Sequence, residues 1–295
     1  MDQAKDYPHI TSRCFVNAPF YRLQRDIDRF IENRIQPEIG LEGDVLYERS
    51  IDDFQEIGER LRNAGLFCTI HAPFYELSPG AIDPHIRRVS REKLKKAFEL
   101  IPVFRPKSIV CHLGFEENKH GYKEKDWFKY SLDAWRELLE MAAVHQTPLM
   151  LENTYEKSPE QHRRMLSALD SPLARFCLDV GHILAFAGNS WQDWLPELSP
   201  WLGQLHLHDN HGGIDEHLAV GQGLFDFRNL FCYLQENKLK PLITLEPHHE
   251  LGLEESLPAL DQLADWSDSS CWPGHAGLLK PTHSAAMSLT QEKSP

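Results

Sequence analysis

Short apolar segments alternate with longer amphipathic segments along most of the chain. Eight apolar segments, four to seven residues long, are rich in Val, Ile, Leu, Phe and Cys, which is typical of buried parallel strands. They are Ile10–Val16, Glu38–Leu41, Phe67–Ala72, Ser108–Leu113, Pro148–Leu151, Arg175–Val180, Leu202–Leu207 and Pro241–Leu245. Two of the segments between them, Phe20–Ile35 and Trp127–Val144, repeat apolar residues with the 3.6-residue period of a helix.

The order of these elements predicts the fold. Strands that alternate with helices form parallel sheets, and eight such units close a (β/α)8 barrel. We therefore predict an α/β protein with a single TIM-barrel domain over residues 1–266. The segment 267–295 is rich in Ser, Pro and Gly and has no periodicity, so we predict a flexible, disordered tail there.

Composition narrows the function. The chain has 295 residues, whereas such a barrel needs roughly 250. Its formal net charge of −13 argues against a general affinity for nucleic acid or anionic membranes. We find no apolar segment of the ~20 residues that span a membrane, no signal-peptide core and no CxxC among six cysteines, so we expect a cytoplasmic protein. Sixteen histidines indicate metal or acid–base chemistry.

Acids and imidazoles stand where the predicted strands end. The segments TIHAPF, IVCHLGF, LMLENT, FCLDVGH, LHLHDN and ITLEP supply them: His71, His112, Glu152, Asp179, His182, His206, His208, Asp209 and Glu246. The carboxyl ends of barrel strands converge on one face, where such enzymes place their chemistry. We therefore expect six of them, one from each strand end, to surround one pocket: His71, His112, Glu152, Asp179, His206 and Glu246.

The residue types favour a metal site. A single histidine at a strand end is more often structural, but so many buried acids and imidazoles would repel or stay unsatisfied without a cation. Nitrogen and oxygen donors without thiolate suit Zn²⁺ best, with Mn²⁺, Co²⁺ or Fe²⁺ as alternatives. The loop after the seventh strand adds Asp215 and His217, and Gly221 and Gly223 would let that loop turn back over the pocket.

Other residues receive lesser roles. We expect His208 to hold a ligand or to touch substrate, Asp209 to orient a histidine, and Phe74 with Tyr75 to wall the pocket. We interpret the remaining histidines of helices, loops and tail as solvated: His9, His85, His120, His145, His162, His275 and His283.

The motifs LDVGH, HLHDN followed by DEH and GQG, and LEP resemble, in order and spacing, the signature segments of the xylose isomerase-like TIM barrels. This superfamily includes sugar and sugar-phosphate isomerases and epimerases and the family 2 apurinic endonucleases of the endonuclease IV type. The resemblance covers about Phe67–His249.

The resemblance implies two alternative ligand sets. In the epimerases, Glu152, Asp179, His206 and Glu246 would hold one divalent ion and His182 would contact substrate. In the endonuclease branch nine residues would hold three zinc ions: His71, His112, Glu152, Asp179, His182, His206, Asp215, His217 and Glu246. The chain departs from tagatose-type epimerases, with Gly212 for their Arg and Ser158 for their Glu, and from the endonucleases, with HLHD for HLND.

Two chemistries therefore stay open, with one to three metal ions. The first and preferred is isomerisation or epimerisation of a sugar or sugar phosphate, in which Glu152 and Glu246 move a proton and His182 binds substrate. The close alternative is hydrolysis of a phosphoester by three zinc ions, on a small substrate other than DNA. A ligand-binding barrel without activity is a third class. We expect a small sugar-like substrate, no nucleic acid or membrane partner, and a homo-oligomer as one possible assembly.

Overall fold

Eight parallel strands close into a barrel in the order of the chain. The computed structural model describes residues 2–247 and 249–263. The strands are β1 (Cys14–Pro19), β2 (Gln36–Gly40), β3 (Thr69–His71), β4 (Ile109–His112), β5 (Leu149–Glu152), β6 (Ala174–Asp179), β7 (Leu202–Leu207) and β8 (Leu242–Leu245). β8 pairs with β1, which completes the predicted (β/α)8 architecture.

Helices cover the outside of the barrel. They are α1 (Pro8–Thr11), α2 (Phe20–Glu32), α3 (Val45–Glu48), α4 (Ile51–Asn63), α5 (Pro84–Phe98), α6 (Ile101–Phe104), α7 (Glu117–His120), α8 (Glu124–Ala143), α9 (Glu160–Leu169), α10 (Val180–His182), α11 (Leu195–Leu198), α12 (Phe227–Glu236) and α13 (Glu250–Leu263). Both helices predicted from periodicity are present as α2 and α8. Among the described residues, no helix has the length and apolar character needed to cross a bilayer.

The first strand differs from its prediction. We predicted a strand from Ile10, but Pro8–Thr11 is helical and β1 begins at Cys14. Pro8 has the fixed φ that suits the first turn of a helix. Ile10 is fully buried, so its apolar character serves packing in α1 rather than a strand. The predicted tail at 267–295 lies outside the described residues.

Alternation along each strand prepares the site. Side chains two residues apart on a strand share a face, so the residue two positions before a ligand candidate at a strand end also points into the barrel. Val110 precedes His112 in this way, and Met150 precedes Glu152. Val110 and Met150 belong to a separate buried cluster with Phe15, Cys177 and Leu242. This packed interior fills the barrel below its mouth.

An extra residue in β7 sets the register of two site residues. Phe176 pairs with Leu202, but the next pair is Cys177 with Gln204, so Gly203 has no partner in β6. The shift brings Asp179 beside His206. A Cβ on Gly203 would lie 2.7 Å from Met150 Sδ and 2.9 Å from Arg175 Cβ.

Gly203→Ala should therefore destabilise the barrel. Overpacking of a tight interior costs about 1–3 kcal/mol, and we expect a loss of that size in the free energy of unfolding, measured by urea denaturation. Ser167→Ala, an exposed change on α9, is the control and should stay within about 0.5 kcal/mol of the parent. Equal stability of the two variants would contradict this view of the bulge.

Candidate functional site

Strand ends place six of the nine candidate ligands at one mouth of the barrel. His112 pairs with Glu152 across β4 and β5, as Asp179 does with His206 across β6 and β7. His71 ends β3, and Glu246 directly follows β8. The remaining three are His182 in α10 and the loop residues Asp215 and His217.

The first cluster consists of His71, His112 and Glu152. Glu152 Oε2 lies 3.2 Å from His71 Nε2 and 3.5 Å from His112 Nε2. His71 Nδ1 donates to the carbonyl of Ala72 at 2.9 Å, which fixes its tautomer and turns Nε2 toward Glu152. Phe74 stacks on His112 with ring centroids 4.5 Å apart, and both side chains line the same cavity.

The second cluster surrounds His206 and shares Glu152 with the first. His206 Nδ1 lies 3.1 Å from Glu246 Oε1, 3.4 Å from Glu152 Oε1 and 3.9 Å from Asp179 Oδ2. Three carboxylates thus face one ring nitrogen. The two oxygens of Glu152 point into two different clusters.

The third cluster consists of His182, Asp215 and His217. Asp215 Oδ2 lies 3.3 Å from His182 Nε2 and 3.0 Å from His217 Nε2. Backbone carbonyls orient both rings, since His182 Nδ1 donates to Asn153 at 2.9 Å and His217 Nδ1 donates to Glu246 at 3.0 Å. In each ring Nε2 therefore faces the carboxylate.

His208 contacts this constellation directly. Its Nε2 lies 3.0 Å from both oxygens of Asp179, and its ring stacks on His217 at 3.9 Å. Gly181 makes room for it, since a Cβ there would lie 2.0 Å from His208 Cε1. Its Nε2 thus contacts Asp179, a candidate ligand, and the role that we expect for His208 stays a prediction.

Asp209 has a different role from the one predicted. We expected it to orient a histidine. Instead, its carboxylate accepts backbone N–H groups of Gly221, Gly223 and Phe225 at 2.8–3.2 Å. It therefore fastens the loop that carries Asp215 and His217, because short acid side chains readily accept backbone N–H groups in turns.

Sequence reasoning missed Glu38. Its side chain is fully buried inside the barrel. Oε2 accepts hydrogen bonds from Thr69, Gln204 and Thr244 at 2.7–3.1 Å. Oε1 lies 3.2 Å from His206 Nε2. A carboxylate there favours the proton on Nε2 and leaves Nδ1 for the three carboxylates of the second cluster.

Three further buried groups also escaped prediction. Glu156 accepts the backbone N–H groups of Phe115 and Thr154, both at 2.8 Å, and burial raises its pKa to about 7. His120 and His162, which we expected to be solvated, are buried against Trp127 and Phe176 respectively. The positions of these two histidines in predicted helices did not indicate that they are buried. Burial lowers the pKa of His162 to about 4.

The charges of the clusters depend on one another. Burial opposes ionisation of Glu152, but the imidazoles around it hold its pKa well below the usual range. Burial also disfavours charge on His71 and His217, yet Glu152 and Asp215 respectively outweigh it and raise each pKa to about 9. Without another cation, the protons on His71 and His217 at neutral pH offset part of the carboxylate charge. His112 does not contribute, because burial lowers its pKa to about 3.

The donor set fits a divalent cation. His206 Nδ1 is buried without a hydrogen-bond partner although three carboxylates surround it, and Asp215 Oδ1 is also buried and unpartnered. The donor atoms of His71, His112 and Glu152 lie within 4.8 Å of one another, as do those of Glu152, Asp179 and His206. Imidazole and carboxylate donors in such groups suit zinc.

A cavity of about 730 Å³ opens above the clusters. Phe74, Tyr75, Tyr155 and Phe186 line it together with seven of the nine candidate ligands: His71, His112, Glu152, His182, Asp215, His217 and Glu246. The volume falls within the usual range for small-molecule sites, about 300–1,000 Å³.

A closed parallel barrel with acids and imidazoles gathered at its carboxyl-terminal mouth defines a TIM barrel of the kind that carries enzyme sites. A family model described as "xylose isomerase-like TIM barrel" matches residues 35–269. The chain belongs to this family, whose members are mostly enzymes, epimerases and isomerases among them.

Individual relatives are distant. An uncharacterized protein of Methanocaldococcus jannaschii, MJ1311, is 25% identical over 185 residues, which are 60% of this chain and 63% of that protein. The crystal structure of a D-tagatose 3-epimerase-like protein matches with a TM-score of 0.73 at 20% identity, over 84% of this chain and 96% of that one. The TTHB071 protein of Thermus thermophilus, soaked with ZnCl₂, also reaches 0.73, at 23% identity over 85% and 98%. At these identities the structures establish the fold alone.

Glu38→Gln tests the buried contact to His206. The variant keeps the size of the side chain and removes its charge, so we expect the affinity for Zn²⁺ to fall about 10- to 100-fold, measured by competition with a chromophoric chelator. Glu156→Gln is the matched control, since Glu156 is equally buried but contacts backbone amides, and its affinity should change little. Equal affinities in both variants would refute the role of Glu38.

Zinc binding should release protons. His71 and His217, each with a pKa of about 9, are protonated at pH 7, and a cation must displace those protons to bind the rings. Apparent affinity should therefore rise from pH 6 to 9. Calorimetry at pH 7 in two buffers of different ionisation enthalpy should detect at least one proton released per chain. His85→Gln, at an exposed position, should release as many. A flat pH profile would contradict the charge balance.

Proposed function

We propose that this protein is a metal-dependent hydrolase of phosphoesters that acts on a small substrate rather than on duplex DNA. The observation that carries the proposal is the position of Glu152. Its Oε2 faces His71 and His112, whereas its Oε1 lies 3.4 Å from His206 Nδ1 in the second cluster. His182 Nδ1, which donates to the Asn153 carbonyl, lies at the same distance from Oε1. A carboxylate between two imidazole sets is suited to bridge two ions, which a site for one ion does not need.

Nine residues would hold up to three zinc ions in the three clusters, with Glu152 shared. Bound zinc supplies Lewis acidity, which polarises a phosphoryl oxygen and lets water act as a nucleophile at neutral pH. In the reaction a water oxygen bonds to phosphorus, the ester P–O bond breaks, and the leaving oxygen takes the proton that the attacking water gives up.

The chain itself orients the metal-binding side chains and keeps their carboxylates away from solvent. The backbone carbonyls of Ala72, Asn153 and Glu246 fix the rings of three histidines, so the donor atoms need little rearrangement to bind ions. Glu152 and Asp179 are almost wholly buried. Burial strengthens their attraction for a cation, because the surrounding dielectric is low.

The geometry favours hydrolysis over the preferred sequence-based hypothesis. The one-ion set of an epimerase leaves His71, His112, Asp215 and His217 without a ligand role. Yet His71 and His112 gather around Glu152, and His217 lies 3.0 Å from Asp215. Neither Ser158 nor Gly212, which replace the acid and the arginine of tagatose-type epimerases, lies among the residues that line the cavity.

Proton transfer at a sugar carbon is the second candidate, and one observation favours it. Glu152 and Glu246 approach the same His206 nitrogen, and their environments shift their pKa values in opposite directions. Burial, together with the charges of Asp179 and Glu152, raises the pKa of Glu246, whereas that of Glu152 is lowered. Two carboxylates of unequal pKa can serve as acid and base, with His182 as a substrate contact.

Turnover of bis-p-nitrophenyl phosphate by the zinc-reconstituted protein tests the proposal. We expect hydrolysis that survives purification and falls at least about 100-fold in Glu152→Gln, because the variant loses charge from two clusters. Glu156→Gln should retain most of the activity. Metal analysis should give about three zinc per chain. About one metal per chain, no hydrolysis, and deuterium uptake from D₂O into a keto-sugar would instead support the isomerase or epimerase.

A further inference from the structure

Six rings form a continuous row in the lining of the cavity. We name them the aromatic arc, in spatial order Tyr75, Phe74, His112, His182, Phe186 and Tyr155. Successive ring centroids are 4.5, 4.5, 5.9, 5.6 and 4.9 Å apart. All six line the cavity. The arc therefore joins the metal-binding clusters to the cavity wall on both sides.

The ends of the aromatic arc are open to solvent. Tyr75 is 67% exposed and Tyr155 is 46% exposed, although large aromatic side chains usually bury most of their surface. Each packs against one phenylalanine of the arc and leaves much of its ring uncovered. Exposed ring surface inside a cavity is suited to stack against a planar group of a ligand.

The charges around the cavity limit the rest of the ligand. Glu42, Glu76 and Glu116 line it. Among the described lining residues the one Lys or Arg is Lys119, and its Nζ lies 2.6 Å from Glu116 Oε1. Outside the clusters, these side chains therefore offer no unpaired basic group for a further phosphate or carboxylate, and the acids disfavour one.

We propose that the substrate is a phosphodiester with a single negative charge and a flat aromatic group on at least one ester arm, which packs on the aromatic arc. This inference rests on the proposed phosphoesterase function and names its substrate class. His112 and His182, the central rings of the arc, belong to the first and third clusters. A phosphoryl group at the clusters therefore has its ester arms beside Phe74 and Tyr75 on one side or Phe186 and Tyr155 on the other.

Comparison of two phosphodiesters of equal charge, one aromatic and one aliphatic, distinguishes stacking on the aromatic arc from binding of the phosphate group alone. We would measure by calorimetry the affinity of the zinc-loaded full chain for diphenyl phosphate and for dimethyl phosphate. Stacking of one ring on an aromatic side chain strengthens binding about 5- to 150-fold in comparable contacts, so diphenyl phosphate should bind at least about fivefold more tightly than dimethyl phosphate.

Variants show whether the arc causes the preference. Tyr75→Ala or Tyr155→Ala should reduce the affinity ratio of the two esters several-fold. Tyr122→Ala is the matched control, because Tyr122 is 77% exposed and does not line the cavity, and it should keep the parent ratio. Equal affinities of the two esters in the parent, no binding of either, or an unchanged ratio in both arc variants would overturn the inference. Absence of bis-p-nitrophenyl phosphate turnover with an intact affinity ratio would reject the hydrolase and leave the aromatic-diester site standing.

Discussion

The burial of four carboxylates at one end of a barrel is the constraint on which the rest of this structure depends. Glu38, Glu152, Asp179 and Glu246 are each 6% exposed or less. Such groups repel one another in a medium of low dielectric and lose hydration. Histidines stand between them in the clusters, and protonated imidazoles offset part of the charge. A metal ion can replace a proton on a ring nitrogen that faces a carboxylate. The arrangement of histidines that stabilises the buried carboxylates without a metal is therefore also suited to bind metal ions.

The barrel and its backbone carbonyls make this arrangement rigid. Strand ends fix the Cα positions, the extra residue in β7 aligns Asp179 with His206, and hydrogen bonds to carbonyl groups orient three imidazole rings. The third cluster depends on a loop instead, and Asp209 supplies the order there by gathering backbone N–H groups from Gly221 to Phe225. Asp209, although close in sequence to the candidate ligands, therefore stabilises the loop rather than orienting a histidine ring.

The sequence predicts the barrel and the gathered ligand candidates because both depend on local signals: strand-like apolar runs and polar residues at their ends. It does not reveal Glu38, which lies in the interior part of β2. Closure of the barrel brings it to Gln204 and Thr244, 166 and 206 positions away, and no local pattern encodes that contact. The predicted start of β1 was wrong because the apolar side chain of Ile10 packs into the core from a helix rather than from a strand. The prediction that His120 and His162 are solvated was wrong because the residue type alone does not show which face of a helix a histidine occupies.

The unequal pKa values of Glu152 and Glu246 decide less between the two chemistries than they first suggest. Burial and the negative charges of Asp179 and Glu152 raise the pKa of Glu246, and a divalent cation bound among these carboxylates would offset those charges. The difference that suits an acid–base pair therefore shrinks once the second cluster is loaded. The separation of the two Glu152 oxygens between two sets of histidines does not depend on protonation in this way, because strand register and backbone hydrogen bonds fix it. For that reason the geometry of Glu152 carries more weight than the pKa pattern, and it favours chemistry that uses several ions.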